Sequence, residues 1–193
     1  NARRGRRILR AVVVLVGTPV VGAMPAQALT TWQGTVDWND QRQTIDGFGG
    51  STAFGMADKV MSFPTTQRNQ ILDALFSPTT GAGLSIIRNQ IPIIKSSILA
   101  SYSFTADLGQ ESFVDAAKLR ATQKLFATSW SPPGWMKSNG SENGGGSLQT
   151  VFYDSYADYL AEYALRYQNR GTPLDYVSPA NEPDAATSYP SAV

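Results

Sequence analysis

A single glutamate stands in a setting suited to proton transfer. The stretch Asp175-Tyr-Val-Ser-Pro-Ala-Asn-Glu-Pro-Asp184 puts Glu182 between Asn181 and Pro183, directly after a strand-like run over residues 174–178. A proline bars its predecessor from the helical region and stiffens the local backbone, so the carboxyl projects from a strand end with little freedom. A carboxylic acid held this way can act as general acid in glycoside cleavage. Asn181 adds an amide able to hydrogen-bond a sugar hydroxyl beside the scissile carbon. The competing readings are a turn glutamate and a turn asparagine bonded to its own backbone.

Three more residues could share that chemistry. Arg88 closes the β-branched run Gly83-Leu-Ser-Ile-Ile-Arg88; it could orient a carboxylate through a two-pronged bond, or form only a surface ion pair. Trp130 and Trp135 flank Ser131-Pro-Pro-Gly134, and their flat apolar faces suit the C–H faces of sugar rings, with burial in the core as the alternative. Gly49-Gly50-Ser51 matches neither glycine spacing used to hold nucleotide phosphates, so it reads as a close backbone approach.

Composition narrows the chemistry. The chain contains no histidine and no cysteine, which removes His/Cys zinc sites and histidine-assisted nucleophiles from these residues and leaves carboxylates as the catalytic groups. No metal and no cofactor are expected. Residues 1–28 carry Arg3, Arg4, Arg6, Arg7 and Arg10 ahead of an apolar run and an Ala26-Gln-Ala28 site, the pattern of a cleaved secretory leader. Five of the 16 basic residues fall in that leader, leaving 11 against 15 acidic ones, a net charge of −4. A basic nucleic-acid surface is not supported. The mature protein is expected to be a secreted, extracellular monomer that engages a polysaccharide, with no nucleic-acid partner and no membrane contact once the leader is removed.

The elements that must carry these residues alternate between strand and helix. Strand signals cover residues 35–38, 43–48, 83–88, 124–129 and 174–178; helix signals run from Pro64 to Phe76, over residues 112–120 and over residues 151–169. In the last helix Tyr153, Tyr156, Leu160, Tyr163 and Tyr167 form one apolar stripe opposite Asp154, Asp158 and Glu162, a core-facing pattern rather than a carbohydrate platform. The polar candidates sit just beyond successive strands: Gly49-Gly50-Ser51, Arg88-Asn89, Trp130 and Asn181-Glu182. Convergence of strand ends on one rim is what the active site of a (β/α)8 barrel requires.

The blocks QTIDGFGGSTAF (43–54), LSIIRN (84–89), ATSWSPPGWMKSNG (127–140) and YVSPANEPD (176–184) together resemble glycoside hydrolase family 30. The resemblance implies an α/β fold, a TIM (β/α)8 barrel with a small β-sandwich at its side, and metal-free hydrolysis of β-glycosidic bonds with retention. It implies Glu182 as acid/base, Asn181 and Trp130 in the reacting sugar subsite, and Arg88 beside the nucleophile. Retention needs a second carboxylate about 5 Å away, which in this family ends the seventh strand. A whole barrel takes about 250 residues. Residues 29–193 are therefore expected to be the N-terminal half of the catalytic domain, about four βα units preceded by strand residues of the sandwich, with the nucleophile lying elsewhere. Xylan or glucuronoxylan is the first expectation for substrate, and β-1,6-galactan or β-1,6-glucan the second. The rival readings are a non-catalytic carbohydrate-binding protein on the same scaffold and a flavodoxin-like ligand-binding domain.

Overall fold

A computed structural model describes residues 34–37, 39–94, 104, 107–121 and 124–193, so the expected leader over residues 1–28 lies outside the described part. The chain divides into two units, Asn1–Gln43 and Thr44–Val193. In the first, Asp37 Oδ1 accepts the Asn39 backbone N–H at 3.0 Å and Arg42 pairs with Asp40 at 2.8 Å. The strand expected over residues 35–38 does not form across 34–37, which are exposed and have no ladder partner among the described residues; Trp38 lies outside them.

The second unit is built on a parallel sheet. Its elements run β1 (Gly49–Ser51), α1 (Met56–Met61), α2 (Thr65–Phe76), β2 (Ile86–Ile91), α3 (Leu108–Lys118), β3 (Lys124–Ser129), α4 (Tyr153–Asn169) and β4 (Tyr176–Ser178). The strands pair in chain order, each parallel to the next. A doubly wound sheet reverses its order at a switch point, and this one does not. Successive βα units laid side by side give this order, as they do in the wall of a barrel.

Register fixes which side chains share a face. Ser51, Arg88, Phe126 and Tyr176 fall in one row across the four strands. Ile87, Ile91, Leu125 and Ala127 point the other way, into a core they share with Leu72, Phe76, Val114 and the α4 tyrosines. Phe76 meets Phe113 edge-on with centroids 5.6 Å apart, joining α2 to α3. At the far edge, Asp175 docks β4 on β3 by donating its backbone N–H to Leu125 O at 2.8 Å and accepting the Leu125 N–H on Oδ2 at 2.7 Å.

Several boundaries differ from the sequence reading. Residues 43–48 are not a strand, and Ile45 and Phe48 are exposed; an alternating run needs a neighbour, and pairing starts only where Phe48 O accepts the N–H groups of Ser85 and Ile86. Gly49 serves the close approach foreseen for it, since a Cβ there would lie 2.1 Å from Ile86 O. Strand β2 continues three residues past Arg88, because Asn89 and Gln90 are satisfied inside the fold. Asn89 accepts from the Thr52 hydroxyl at 2.7 Å and donates to Tyr167 at 2.9 Å, and Gln90 exchanges backbone hydrogen bonds with the Gln110 amide.

The buried stripe of α4 is Tyr156, Tyr159, Tyr163 and Tyr167, with Tyr153 largely exposed and Leu160 at the margin. Hydroxyl acceptors select it. Tyr156 donates to Pro179 O at 2.5 Å and Tyr159 to Pro92 O at 2.6 Å. Tyr163 and Tyr167 donate to Asp107 Oδ2 at 3.0 and 2.7 Å. A buried tyrosine needs such a partner, and the stripe thereby ties α4 to the segments following β2 and β4.

Candidate active site

The segment after β4 is stitched on both sides before Glu182 is reached. The Ser178 hydroxyl donates to Ala180 O at 2.8 Å, and the Asn181 backbone N–H donates to Ser129 O at 2.9 Å, extending the contact past the end of β4 to the last residue of β3. Glu182 itself has φ of 46°. The sequence bars the right-handed helical region there through Pro183, and the residue takes the left-handed region at a cost of about 1–2 kcal/mol. A turn closed by Ala185 N–H donating to Glu182 O at 2.9 Å holds it. Strain of this kind concentrates at functional sites.

A chain of hydrogen bonds runs from the sheet to the carboxyl. Arg88 donates from Nε to Thr128 Oγ1 at 3.0 Å and from Nη2 to Asn181 Oδ1 at 2.6 Å. A guanidinium only donates, so it fixes the orientation of the Asn181 amide, turning Nδ2 towards Glu182. Asn181 Nδ2 then donates to Glu182 Oε2 at 3.2 Å, and the Tyr189 hydroxyl reaches the same oxygen at 3.0 Å. Burial lowers the pKa of Arg88 and the Glu182 charge opposes that shift; the guanidinium stays charged throughout the physiological range.

Aromatic rings wall the place. The Arg88 guanidinium lies 4.5 Å from the Trp130 ring centroid and 5.7 Å from that of Phe126. Phe54 meets Trp130 edge-on at 5.3 Å. Phe54 also has a left-handed backbone, φ 57°, and is 63% exposed; its N–H donates to Gln90 Oε1 at 3.0 Å. Phe54, Arg88, Trp130, Asn181, Glu182 and Tyr189 line one cavity of about 560 Å³. Glu182 is exposed within it rather than buried, and it is the one carboxylate on that wall. Among the described residues, no group of three or more His, Cys, Asp or Glu is placed to hold a metal ion.

Four of the five residues singled out from the sequence therefore meet: Arg88, Trp130, Asn181 and Glu182. Trp135 does not join them. Pro133 is in an extended conformation and the short turn Gly134–Met136 swings the indole back onto Phe152, edge-on at 5.2 Å, where it lines a separate cavity of about 410 Å³ with Ile94 and residues 140–143. Phe54 and Tyr189 were missed. Phe54 lies inside the first quoted block with nothing to mark its exposure, and Tyr189 sits in a loop whose position depends on distant contacts.

The family model of O-glycosyl hydrolase family 30 matches residues 96–191. The chain belongs to glycoside hydrolase family 30. Among solved structures it is similar to the catalytic domain of GH30 xylanase C from Talaromyces cellulolyticus, with 33% identity and a TM-score of 0.70 over 78% of this chain and 40% of that one. Among curated relatives of this family-30 chain, an endo-1,6-beta-D-glucanase of Neurospora crassa is 27% identical over 86% of this chain and 39% of its own length. The lysosomal acid glucosylceramidase of Mus musculus is 29% identical over 98% of this chain and 40% of its own length. The chain thus spans about 40% of the length of these relatives.

Proposed function

We propose that the complete protein is a secreted, retaining β-glycosidase in which Glu182 is the general acid and base. The observation that carries this reading is the placement of Glu182 just past β4, bonded to Asn181 and Tyr189 in one cavity with Arg88, Trp130 and Phe54. In the first step Glu182 gives its proton to the glycosidic oxygen as a second carboxylate attacks the anomeric carbon. In the next, Glu182 takes a proton from the water that displaces the enzyme carboxylate. That second carboxylate would be supplied by chain beyond residue 193, on a later strand of a closed (β/α)8 barrel flanked by a small sandwich. Asn181 would contact a sugar hydroxyl beside the reacting carbon, and Trp130 and Phe54 would offer apolar faces to the ring.

The proposed substrate is an extracellular polysaccharide, taken up by a monomer with no nucleic-acid or membrane partner. A xylan-type chain comes first, supported by the 33% identity to a xylanase. A β-1,6-linked glucan is the second reading, supported by the fungal glucanase relative. The test is reducing-sugar release by the complete protein and its Glu182→Gln variant from xylan and from β-1,6-glucan. Release by wild type and a loss of at least about a thousandfold in the variant are expected. A variant as fast as wild type would remove Glu182 from the chemistry, and wild-type inactivity on both glycans would favour the non-catalytic sugar-binding reading.

A further inference from the structure

The two hydrogen bonds that reach the Glu182 carboxyl end on the same atom. Asn181 Nδ2 and the Tyr189 hydroxyl both donate to Oε2, and no hydrogen bond among the described residues reaches Oε1. We infer, resting on the hydrolase reading above, that Tyr189 is a positioning residue: with Asn181 it occupies Oε2 and so leaves Oε1 as the oxygen that carries and delivers the proton. Glycosylation then transfers the Oε1 proton to the glycosidic oxygen as its bond to the anomeric carbon breaks and the second carboxylate bonds that carbon, and the new Glu182 carboxylate keeps both donors on Oε2. Deglycosylation returns a proton from water to Oε1 while the water oxygen bonds the anomeric carbon and the bond from that carbon to the second carboxylate breaks.

The setting of Tyr189 is that of a placed hydroxyl rather than a packing ring. Its side chain is 42% exposed, so little apolar burial recommends an aromatic there. The loop around it is fastened on both sides. Lys137, itself buried, donates from Nζ to Ser191 O at 2.5 Å and to Glu142 O at 3.1 Å. The Ser191 hydroxyl accepts the N–H groups of Gly145 at 3.0 Å and Thr187 at 3.1 Å, and the Thr187 hydroxyl donates to Tyr189 O at 3.1 Å. The loop between Thr187 and Ser191 is thereby tied to the Gly-rich loop that follows β3. The hydrogen bond to Glu182 raises the pKa of the Tyr189 phenol, which keeps it protonated as a donor.

A positioning role and a structural role separate by leaving group, because proton delivery matters for a poor leaving group and hardly at all for a good one. The experiment measures kcat/KM of the complete protein and its Tyr189→Phe variant on whichever of xylan and β-1,6-glucan the wild type cleaves, and on the 2,4-dinitrophenyl glycoside of the same sugar. Melting temperatures of both proteins are compared alongside. The expected result is a loss of about 10- to 100-fold on the glycan with less than about a twofold change on the dinitrophenyl glycoside. Equal losses on both substrates, or none on the glycan, overturn the inference while leaving the Glu182 assignment in place if Glu182→Gln retains its own leaving-group dependence. Wild-type inactivity on every substrate removes the hydrolase reading, and this inference falls with it.

Discussion

Among the described residues, two carboxylates accept hydrogen bonds from tyrosine hydroxyls, and they are used in opposite ways. Asp107 is fully buried and has both oxygens engaged, Oδ2 by Tyr163 and Tyr167 and Oδ1 by Gln110. Glu182 is exposed at the mouth of a cavity and has one oxygen engaged and one free. The first carboxyl is an internal anchor between α3 and α4, shut off from solvent. The second retains the capacity that proton transfer needs. Satisfaction of hydrogen-bonding capacity, more than residue type or neighbouring aromatics, separates the two.

Exchanging the properties of the two sites gives the sharpest expectations. The largest effect belongs to the Glu182→Gln variant of the complete protein, with turnover of unactivated glycan down at least about a thousandfold and sugar affinity nearly unchanged, as measured by steady-state kinetics and by calorimetric titration. Asp107→Ala should do the converse. It strands the hydroxyls of Tyr163 and Tyr167 and the Gln110 amide in the core, at about 1–3 kcal/mol for each unsatisfied group, and a denaturant melt should show a midpoint far below wild type. Arg88→Met comes next, because it frees the Asn181 amide to turn. A fall of about 10- to 100-fold in kcat/KM with stability little altered is expected.

A further effect is on pH dependence. Burial pushes the Asp107 carboxyl up to about 7, with like charge from Glu111 adding to it and the hydrogen bonds of Tyr167, Tyr163 and Gln110 opposing it. Arg166 of α4 and Arg170, just past its end, face this cluster by pairing with Glu111. An unfolded aspartate titrates near 3.9, so folding takes up a proton between about pH 4 and pH 7. The stabilisation is complete below about pH 4 and is lost as pH rises through about 7, amounting to a few kcal/mol. Asp107→Asn should flatten the wild-type decline in melting temperature across that window; an unchanged slope would place the titrating group elsewhere.

The sequence made some of this legible for identifiable reasons. Strand β3 matches its expected span, Lys124–Ser129, because a compact apolar run is bounded by polar residues and loops on both sides. The end of α4 at Asn169 matches because Gly171 and Pro173 stop a helix. Strand β1 starts at Gly49 and not at residue 43 because alternation over residues 43–48 shows a face without showing a partner. In the sequence β2 ends at Arg88, because Asn89 and Gln90 look like an ending until Thr52, Tyr167 and Gln110 are brought to them. The same distance effect hid Phe54 and Tyr189. One is exposed by a left-handed backbone and the other sits in a loop fastened by Lys137 through Ser191 O, and neither leaves a periodic trace. Trp135 shows the reverse: a flat ring beside a Pro-Pro-Gly turn suggested a sugar platform, and the turn directs it onto Phe152.

The role of Glu182 can be tested most directly by chemical rescue. In a Glu182→Ala variant of the complete protein, cleavage of a dinitrophenyl glycoside needs no proton donor for the first step, but the second step lacks the base that activates water, so the glycosyl-enzyme should accumulate. Azide attacks without a base. Added azide should therefore restore turnover and yield a β-glycosyl azide with the configuration of the substrate. Wild-type turnover without azide, or an azide product of inverted configuration, would contradict the assignment of Glu182 as acid and base of a retaining enzyme.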